Sequence, residues 1–536
     1  MSRKVPVFVL ALALIVAGGI SAAPAGAAGG GPWAAVVGPG FTRYVPGVDR
    51  WELAFRVAGD GWETSALPAL TAARVLVNGV PAQSVSFAEA PWAKVEGRLA
   101  EAEVREVRKA ALGELRGLAP SPGDLPRLER LASTLENVLA EVPPVVLTLD
   151  GMANLVEGQY SLEVALDYAV SGPSGLQTLT LTEPLDVVVA AIPTAAGWFA
   201  GDYHIHSTYS DGNKSVAGLQ TDLLSRGYYI GYMSDHTGAL ISSGAFTSLT
   251  APYPTDCKNC STTSTSMFPG VEMEIGHTIL GFWNGDGHCL GYGVASTSGL
   301  NDKYWGAQVG LDKIDGNNGT QSNSGIAHPA HLIFPWEDWT VLRYYGIELM
   351  SGFQTFFDVN SGGPTRWRSE CARLQGSSLS FKPSVRTGSD YHSGWQSYVT
   401  HVKLASDSIW FASDWAGRRA LVDAALKAGK TTISRKGSLP YITADGYEIG
   451  STYAKASGAT VSFSIYLKPA VTGTYNLYLY RDNKAVTVWS KTSQALTAGV
   501  AYTWTTSYTY PGASHYYWLY VSGDDYGYTT PIYLTP

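Results

Sequence analysis

The sequence is poor in the residue types on which many functional assignments rest. Only 15% of its 536 residues are charged, four are cysteines, and the ten histidines are all missing from the first 203 positions. Acidic residues outnumber basic ones by 45 to 37, which gives a net charge of −8. This charge argues against a nucleic acid as the partner, because binding to phosphates requires clustered lysine and arginine.

Long apolar runs are missing except at the N-terminus. There a basic start at Arg3 and Lys4 precedes an apolar stretch from Val5 to Ile20, and small residues follow up to Ala28. This pattern predicts a secretory signal peptide over residues 1–28, with an uncleaved membrane anchor as the alternative. Removal of the peptide would change the charge from 37 − 45 = −8 to 35 − 45 = −10. We therefore expect a secreted, extracellular or cell-surface protein without a membrane span in the mature chain.

Cysteine is scarce and confined to one part of the chain, at Cys257, Cys260, Cys289 and Cys371. In an exported protein, the spacing of Cys257 and Cys260 favours a disulfide, either within the pair or from each member to the other two cysteines. A zinc ion held by four thiolates is the alternative. In either case we expect the cysteines to stabilise the fold.

Three kinds of sequence follow one another along the chain. Residues 40–192 contain β-like runs such as QYSLEVALDYAV between Gly, Asp and Pro turns, which predicts an N-terminal β-sandwich-like domain. Within it, the charged, Ala/Leu-rich residues 94–142 predict an inserted helical hairpin or a solvated charged arm. Short apolar strands alternate with helical stretches over 197–430, which predicts parallel β/α units. Residues 431–536 return to a β pattern and predict a C-terminal β-sandwich-like domain.

Residues of metal-ligand type recur at the ends of the predicted central strands. In GDYHIHSTYSDG, His204 and His206 would point to the same side of an extended strand. The other segments are SDH, PGVE, GHCLGYG, AHP and GSDYH. Together the segments supply His204, His206, Asp211, His236, Glu272, His288, His328, Asp390 and His392.

These nine groups predict a metal site. In parallel β/α barrels the carboxyl ends of the strands converge on one face, so ligands distant in sequence meet there. Imidazoles and carboxylates together suit Mn, Zn or Fe, and nine groups are too many for a single ion. The sequence therefore predicts two or three divalent transition-metal ions as cofactors.

The six segments, in this order, resemble the PHP (polymerase and histidinol phosphatase) superfamily over roughly residues 197–430. The segment LVDAALKAGKTTISRKG and the β-domain ending in YTTPIYL further resemble its secreted, cell-surface branch, which includes carbamate and phosphate ester hydrolases. The resemblance implies a multidomain protein in which the two β-sandwich-like domains flank a distorted seven-stranded β/α barrel with a trinuclear site. It would place His204, His206, Glu272 and Asp390 on one ion, Asp211, His236 and Glu272 around a second, and His288, His328 and His392 at the remaining positions.

Two features depart from the family pattern. The histidine after the glutamate is either His277 or His288. The segment HCLGYG favours His288, because this segment better matches the family's His-apolar-apolar-Gly sequence pattern. Residues 237–267 form a Ser/Thr/Gly-rich insertion that carries the cysteine pair and would cover the site. Glu348 in GIELMSG is expected beside the site, supporting a ligand rather than reacting.

The expected function is that of a secreted metal-dependent phosphoesterase, either a phosphatase or a phosphodiesterase. A hydroxide that bridges two metals would attack the ester, with Glu272 as the bridging carboxylate and Asp211 or His392 as the proton donor. The substrate would be a small-molecule ester, and the positive charge of the metals favours a phosphorylated one. The aromatic-rich β-domains would suit contact with a cell wall or carbohydrate. The alternatives are a hydrolase of carboxylic or carbamic esters with the same site, and a non-catalytic cell-surface binding protein.

Several polar residues receive no role in this interpretation. His331, His401 and His515 are interpreted as ordinary histidines. A phosphate clamp would need arginine, and the candidates for one are Arg343, Arg366, Arg368 and Arg386.

Overall fold

The computed structural model describes residues 32–36, 41–43, 50–59, 69–78, 80–86, 145–150, 158–169, 176–188, 192–279, 282–297, 300, 307–316, 325–330, 344–350, 362–375, 383–391 and 398–536. The predicted signal peptide and the predicted helical insertion at 94–142 lie outside these residues. Strands and helices are numbered in chain order over the described residues. None of the described helices combines the length and apolar character that crossing a membrane requires.

The N-terminal region forms two sheets. Its strands are β1 (Pro32–Val36), β2 (Phe41–Arg43), β3 (Arg50–Gly59), β4 (Ala69–Val77), β5 (Val80–Ser86), β6 (Val145–Asp150), β7 (Gly158–Ala169) and β8 (Leu176–Val188). One sheet has the order β1-β3-β6 and the other β2-β8-β7-β4-β5. All pairs are antiparallel except β2 with β8. The alternating sequences of this region thus form the strands that they predict.

The central region alternates strands and helices. Its strands are β9 (Trp198–Ile205), β10 (Ile230–Met233), β11 (Ser266–Phe268), β12 (Val271–Ile279), β13 (Phe282–Tyr292), β14 (Ile326–Pro329), β15 (Gly346–Met350), β16 (Ser384–Thr387) and β17 (Val399–Lys403). Its helices are α1 (Val216–Ser225), α2 (Thr237–Ser243), α3 (Pro252–Cys260), α4 (Ala307–Asp315), α5 (Gly362–Leu374), α6 (Asp407–Ala412) and α7 (Trp415–Lys427).

Local sequence accounts for the first of these helices. The side chain of Ser215 accepts a hydrogen bond from the backbone N–H of Gly218 and so caps α1. Val216, Leu219 and Leu223 follow at helical spacing and are buried. The helix thereby packs an apolar face onto strands that are themselves covered, since every residue of β9 is buried.

The predicted closed barrel of seven strands is not seen among the described residues. Strands β9, β10 and β11 are parallel to one another, as are β15 and β16, but β12, β13 and β14 form a separate antiparallel sheet. The connection from β12 to β13 spans two residues, which is too short for the crossover that a parallel pair requires. Two isolated parallel bridges, Ile205 with Tyr391 and His236 with Glu272, join the ends of these sheets at the candidate site.

The C-terminal region is joined to the central one by a continuous sheet. Its strands are β18 (Thr431–Ser434), β19 (Leu439–Ala444), β20 (Tyr447–Glu448), β21 (Thr452–Ala454), β22 (Thr460–Lys468), β23 (Gly473–Arg481), β24 (Val486–Leu496), β25 (Tyr502–Thr509), β26 (His515–Gly523), β27 (Gly527–Thr529) and β28 (Ile532–Thr535). Strand β18 pairs with β17 on one side and with β27 on the other. The boundary predicted between residues 430 and 431 therefore falls inside a sheet of order β11-β10-β9-β17-β18-β27-β26-β23-β24.

Two of the apolar cores among the described residues involve the C-terminal region. One lies mainly in the C-terminal region and also contains Trp198 of β9. It includes Phe463 from the sheet β20-β19-β22-β25 and Leu479 from the continuous sheet. The other joins central and C-terminal residues, and in it Trp367 of α5 packs edge-on against Trp518 of β26 at 5.3 Å between ring centroids. The C-terminal strands thus support the central region that carries the candidate site.

Candidate metal centre

Two histidines at the carboxyl end of β9 form the centre of the site. Because alternate residues of a strand share a face, His204 and the following His206 point the same way. Both are fully buried, and their Nε2 atoms lie 3.1 Å apart. Two imidazole nitrogens so close together need either a proton or a cation between them.

Glu272, near the start of β12, contacts four imidazoles. Its Oε2 lies 3.1 Å from Nε2 of His206, 3.4 Å from Nε2 of His204 and 3.7 Å from Nε2 of His236. Its Oε1 lies 2.9 Å from Nδ1 of His288. The side chain is 1% exposed, so this carboxylate occupies the middle of the donor set with each oxygen facing different rings.

Asp390 reaches the histidine pair from the loop after β16. Its Oδ1 lies 3.2 Å from Nε2 of His204 and 3.5 Å from Nε2 of His206. The residue has a φ of 50°, in the left-handed region, where aspartate is tolerated better than most residues. A backbone hydrogen bond from His206 N to Tyr391 O, 2.9 Å long, fixes this loop to the end of β9.

Asp211, His236 and His288 line the more exposed side of the cluster, with side chains 48%, 25% and 20% exposed. Asp211 Oδ1 lies 3.3 Å from Nδ1 of His206, and its Oδ2 lies 3.6 Å from Nε2 of His236. Two sets of donors have ligand atoms close enough to share an ion, namely His204 with His206 and Glu272, and His206 with Asp211 and His236. His206 belongs to both sets.

The structure describes the remaining predicted histidines to different extents. His328 on β14 is fully buried, and neither ring nitrogen has a hydrogen-bond partner within the described part of the chain. It belongs to neither of the two donor sets. His392 lies outside the described residues. Of the two alternatives after the glutamate, His288 contacts Glu272, whereas the side chain of His277 lies outside the described part of β12.

The electrostatics of the cluster favour positive charge. Burial lowers the pKa of His204, but Glu348, Asp390 and Glu272 outweigh it and raise that pKa well above its usual value. Burial likewise opposes a charge on His206, yet Asp211, Asp390 and Glu272 raise its pKa well above the ordinary range. A pocket that holds protons this firmly stabilises cations in general, and its imidazole and carboxylate donors are the types that transition metals take. The residues present therefore fit divalent metal ions.

His328 has the opposite electrostatic environment. Burial, with a contribution from the guanidinium of Arg386, lowers the pKa of this imidazole well below its usual value. The ring is therefore neutral near neutral pH. A neutral imidazole is the form that binds a metal, and it is also the form that packs in a core, where the ring lies 5.1 Å from that of Tyr292.

Two aspartates that sequence reasoning missed hold the site loops in place. Asp235 is fully buried and accepts hydrogen bonds from Ser207 N at 2.8 Å, Ser207 Oγ at 2.9 Å and Ser210 Oγ at 2.7 Å. Asp202 accepts from the backbone N–H of Ser389 at 2.9 Å. Both lie inside the motifs SDH and GDYHIH, so their positions were visible, but their roles depend on partners distant in sequence.

The insertion after His236 packs beside the site. Tyr253 of α3 stacks edge-on against Tyr209 at 5.2 Å, and Asp256 accepts a hydrogen bond of 2.7 Å from the Tyr209 hydroxyl. Tyr209 lies in the loop between His206 and Asp211. The insertion thus contacts the loop that carries the exposed part of the site.

The predicted disulfide is wrong for this structure, in which all four cysteines are free thiols. Helix α3 directs Cys257 into the apolar core and leaves Cys260 partly exposed. Cys289 on β13 and Cys371 on α5 lie in other elements, where their thiols face the carbonyls of Leu290 and Pro383. Neither donor set found among the described residues contains a thiolate, so a zinc site of four cysteines is not formed either.

The described candidate arginines face partners other than the histidine cluster. Arg386 is fully buried and donates to backbone carbonyls of Val385 and Leu426. Arg366 pairs with Glu370 at 3.1 Å, and Arg368 donates to Asn483. Arg343 lies outside the described residues. No phosphate clamp is formed by the three arginines that the structure describes.

No protein-family model and no curated protein matches the sequence. Similar solved structures include a two-domain protein of Bacteroides vulgatus that contains a predicted PHP-like metal-dependent phosphoesterase, with 12% identity and a TM-score of 0.33 over 62% of this chain and 93% of that chain. Escherichia coli alpha-2-macroglobulin has 9% identity and a TM-score of 0.15 over 95% of this chain and 23% of that one. Parabacteroides merdae β-glucuronidase has 7% identity and a TM-score of 0.15 over 92% and 62%. TM-scores this low do not establish a shared fold, so the functional conclusion rests on the geometry of the site.

Proposed function

We propose that this protein is an exported metal-dependent hydrolase of ester bonds, with phosphoric esters as its preferred substrates. The observation that carries the proposal is the position of Glu272. One buried carboxylate faces four imidazoles, three through Oε2 and one through Oε1. Such a group can hold two cations at once and offset their repulsion, as multinuclear hydrolytic sites require.

The residues of the cluster would divide the work. His204, His206, Glu272 and Asp390 would hold metal in the buried half, and Asp211 and His236 would hold it in the exposed half together with His206. Bound metal ions would supply an activated water and offset the charge that develops on the ester oxygens. Asp211, which is 48% exposed, is the described group best able to pass a proton to a leaving alkoxide, with His392 as the second candidate.

The charge of the site bears on the choice between phosphoric and neutral esters. Four carboxylates contact the histidines of the cluster. Three are Asp211, Glu272 and Asp390, and the fourth is Glu348, which contacts His204. Three dications would leave two positive charges in excess, which would attract a phosphomonoester with its nearly two negative charges. Two dications would be balanced by the four carboxylates. The preference for phosphate therefore requires three ions, and two ions would favour the carboxylic or carbamic ester alternative.

The proposal is tested by metal analysis and hydrolysis assays on one purified sample. We expect two or three transition-metal ions per chain, loss of hydrolysis after chelation, and recovery with Mn, Zn or Fe. In protein that holds three ions, nitrophenyl phosphate should be cleaved faster than the matching carboxylic ester, and inorganic phosphate should inhibit competitively. Undiminished turnover in a metal-free sample would overturn the enzymatic proposal, while faster cleavage of neutral esters with no inhibition by phosphate would leave the metal site and replace the substrate class.

Export and surface contact belong to the same proposal. The N-terminal basic and apolar segments support a cleaved signal peptide, and the aromatic-rich C-terminal strands support contact with carbohydrate or cell wall. Parallel aromatic rings at the surface are the relevant feature, as in the exposed Tyr447, which stacks at 4.1 Å on the half-buried Tyr453. If the protein instead serves as a non-catalytic binding protein, it will bind such polymers and show no metal-dependent turnover.

A further inference from the structure

Glu348 contacts the side of His204 that faces away from the other donors. Its Oε1 and Oε2 lie 3.0 and 3.2 Å from Nδ1 of His204, and the two side chains are 1% and 0% exposed. Strand β15, which carries Glu348, pairs in parallel with β16, the strand that leads to Asp390. Neighbouring strands thus present one carboxylate to each nitrogen of the same imidazole.

This contact fixes which nitrogen of His204 is available for a metal. An ionised carboxylate can accept hydrogen bonds but cannot donate them, so Nδ1 of His204 must carry the proton. Nε2 then offers its lone pair toward Glu272 and Asp390, which lie 3.4 and 3.2 Å away. A buried carboxylate behind an imidazole also increases its strength as a ligand.

The second histidine of the pair has a different environment. Nδ1 of His206 faces Asp211 at 3.3 Å, and the side chain of Asp211 is 48% exposed. Water and salt screen an exposed charge, whereas a buried charge acts at nearly full strength. The two halves of the site therefore differ in how rigidly, and how strongly, their histidines are presented.

We propose that Glu348 is a positioning residue that makes the half of the site around His204 the high-affinity half. The protein then binds one divalent transition-metal ion tightly, and it binds the remaining one or two ions more weakly, including the ion in the half around Asp211 and His236. This inference rests on the proposed metal site, and it adds an order of affinity that the donor set alone does not supply.

The experiment is a titration of metal-free protein with Zn²⁺ and Mn²⁺ in competition with chelators of graded affinity. Glu348→Leu, which leaves the proton on Nδ1 without an acceptor, should weaken the tight class by about 10–100-fold and leave the weak class in place. Glu348→Gln should lose less, because its amide oxygen still accepts. Asp211→Asn should weaken the second class and spare the first. Glu370→Gln is the matched control, since Glu370 is buried on α5 and pairs with Arg373 and Tyr344.

A second readout reports the orientation of His204 directly. In zinc-loaded protein labelled with ¹⁵N-histidine, the Nδ1–H proton of His204 should give a strongly downfield resonance that persists in Glu348→Gln and disappears in Glu348→Leu. Should the leucine variant fail to fold, the isosteric glutamine variant decides through its metal affinity. Tight binding by both Glu348 variants, equal to that of Glu370→Gln, would overturn the inference and leave the proposed function standing. A wild-type protein that binds no metal would overturn both.

Discussion

Replacing Gly388 with alanine should disable the metal site without altering any proposed ligand. Gly388 lies at the turn after β16, two residues before Asp390, and its φ lies outside the left-handed region. Alanine can therefore adopt its backbone conformation. The obstacle is steric, because the added methyl carbon would lie 2.3 Å from Cβ, 2.6 Å from N and 2.9 Å from Cα of His204.

The size of the effect follows from these distances. Carbon atoms in contact lie about 3.5–4.0 Å apart. The new methyl carbon would lie 2.3 Å from Cβ of His204, so the loop that carries Gly388 and strand β9 must move apart by about 1.2 Å to reach that contact distance. The clashing atoms belong to a buried strand and cannot rotate away. Functional groups must be held to within about 0.5 Å, and a displacement of about 1 Å can cost about 100-fold in rate. Asp390 would move with the loop, away from both histidines.

The assay combines metal content, kcat/KM and thermal unfolding for Gly388→Ala and one control. Gly218→Ala makes the same substitution in α1, where the new methyl would have no neighbour closer than 3.5 Å. We expect roughly 100-fold lower kcat/KM and weaker metal binding for the first variant, with overpacking that lowers stability by about 1–3 kcal/mol. The control should match the wild type. A folded Gly388→Ala protein with wild-type metal affinity and turnover would refute the close approach of this loop to His204.

Two further predictions concern the charge and the thiols of the site. Glu272→Gln should reduce activity more than any single histidine substitution, because only a charged carboxylate can offset the repulsion of two cations. Kinetics of Glu272→Gln beside alanine variants of His204, His206 and His236 would show this. His515→Ala is the control, and a loss in it equal to that of Glu272→Gln would contradict the ligand assignment. Treatment with a thiol reductant should leave metal content and turnover unchanged, because the four cysteines are free and lie outside the donor sets. Metal analysis before and after reduction checks this, and release of metal on reduction would show that a disulfide supports the site.

Local pattern was sufficient to predict which side chains meet at the carboxyl end of β9. The alternation of side chains along a strand places His204 and His206 together, and the structure finds them 3.1 Å apart. Glu272 and Asp390, predicted from motifs distant in the chain, lie within 3.5 Å of that pair. Histidine is rare and confined in this chain, so its recurrence next to carboxylates at strand ends carried more information than any single motif.

Features that depend on pairing between distant segments were harder to predict from the sequence. Alternating strands and helices predicted parallel units throughout 197–430, yet β12 to β14 are antiparallel because their connections include one too short for a crossover. The change of pattern at residue 431 coincides with the start of β18, but this strand pairs with a strand of each region. Spacing suggested a disulfide for Cys257, whereas the helix that contains it turns its side chain into the core.

The division of the donors between ions is the feature that sequence could least supply, and the structure shows why. His206 belongs to both donor sets, and Glu272 faces histidines of both through a single oxygen. Which set dominates then depends on differences of a few tenths of an ångström and on whether the supporting carboxylate is buried, as Glu348 is, or half exposed, as Asp211 is. Burial at these two positions is set by β15 and by the loop after β9, respectively. The order of metal binding that we propose, and with it the net charge that a substrate would meet, would therefore be a property of the assembled sheets rather than of the motifs.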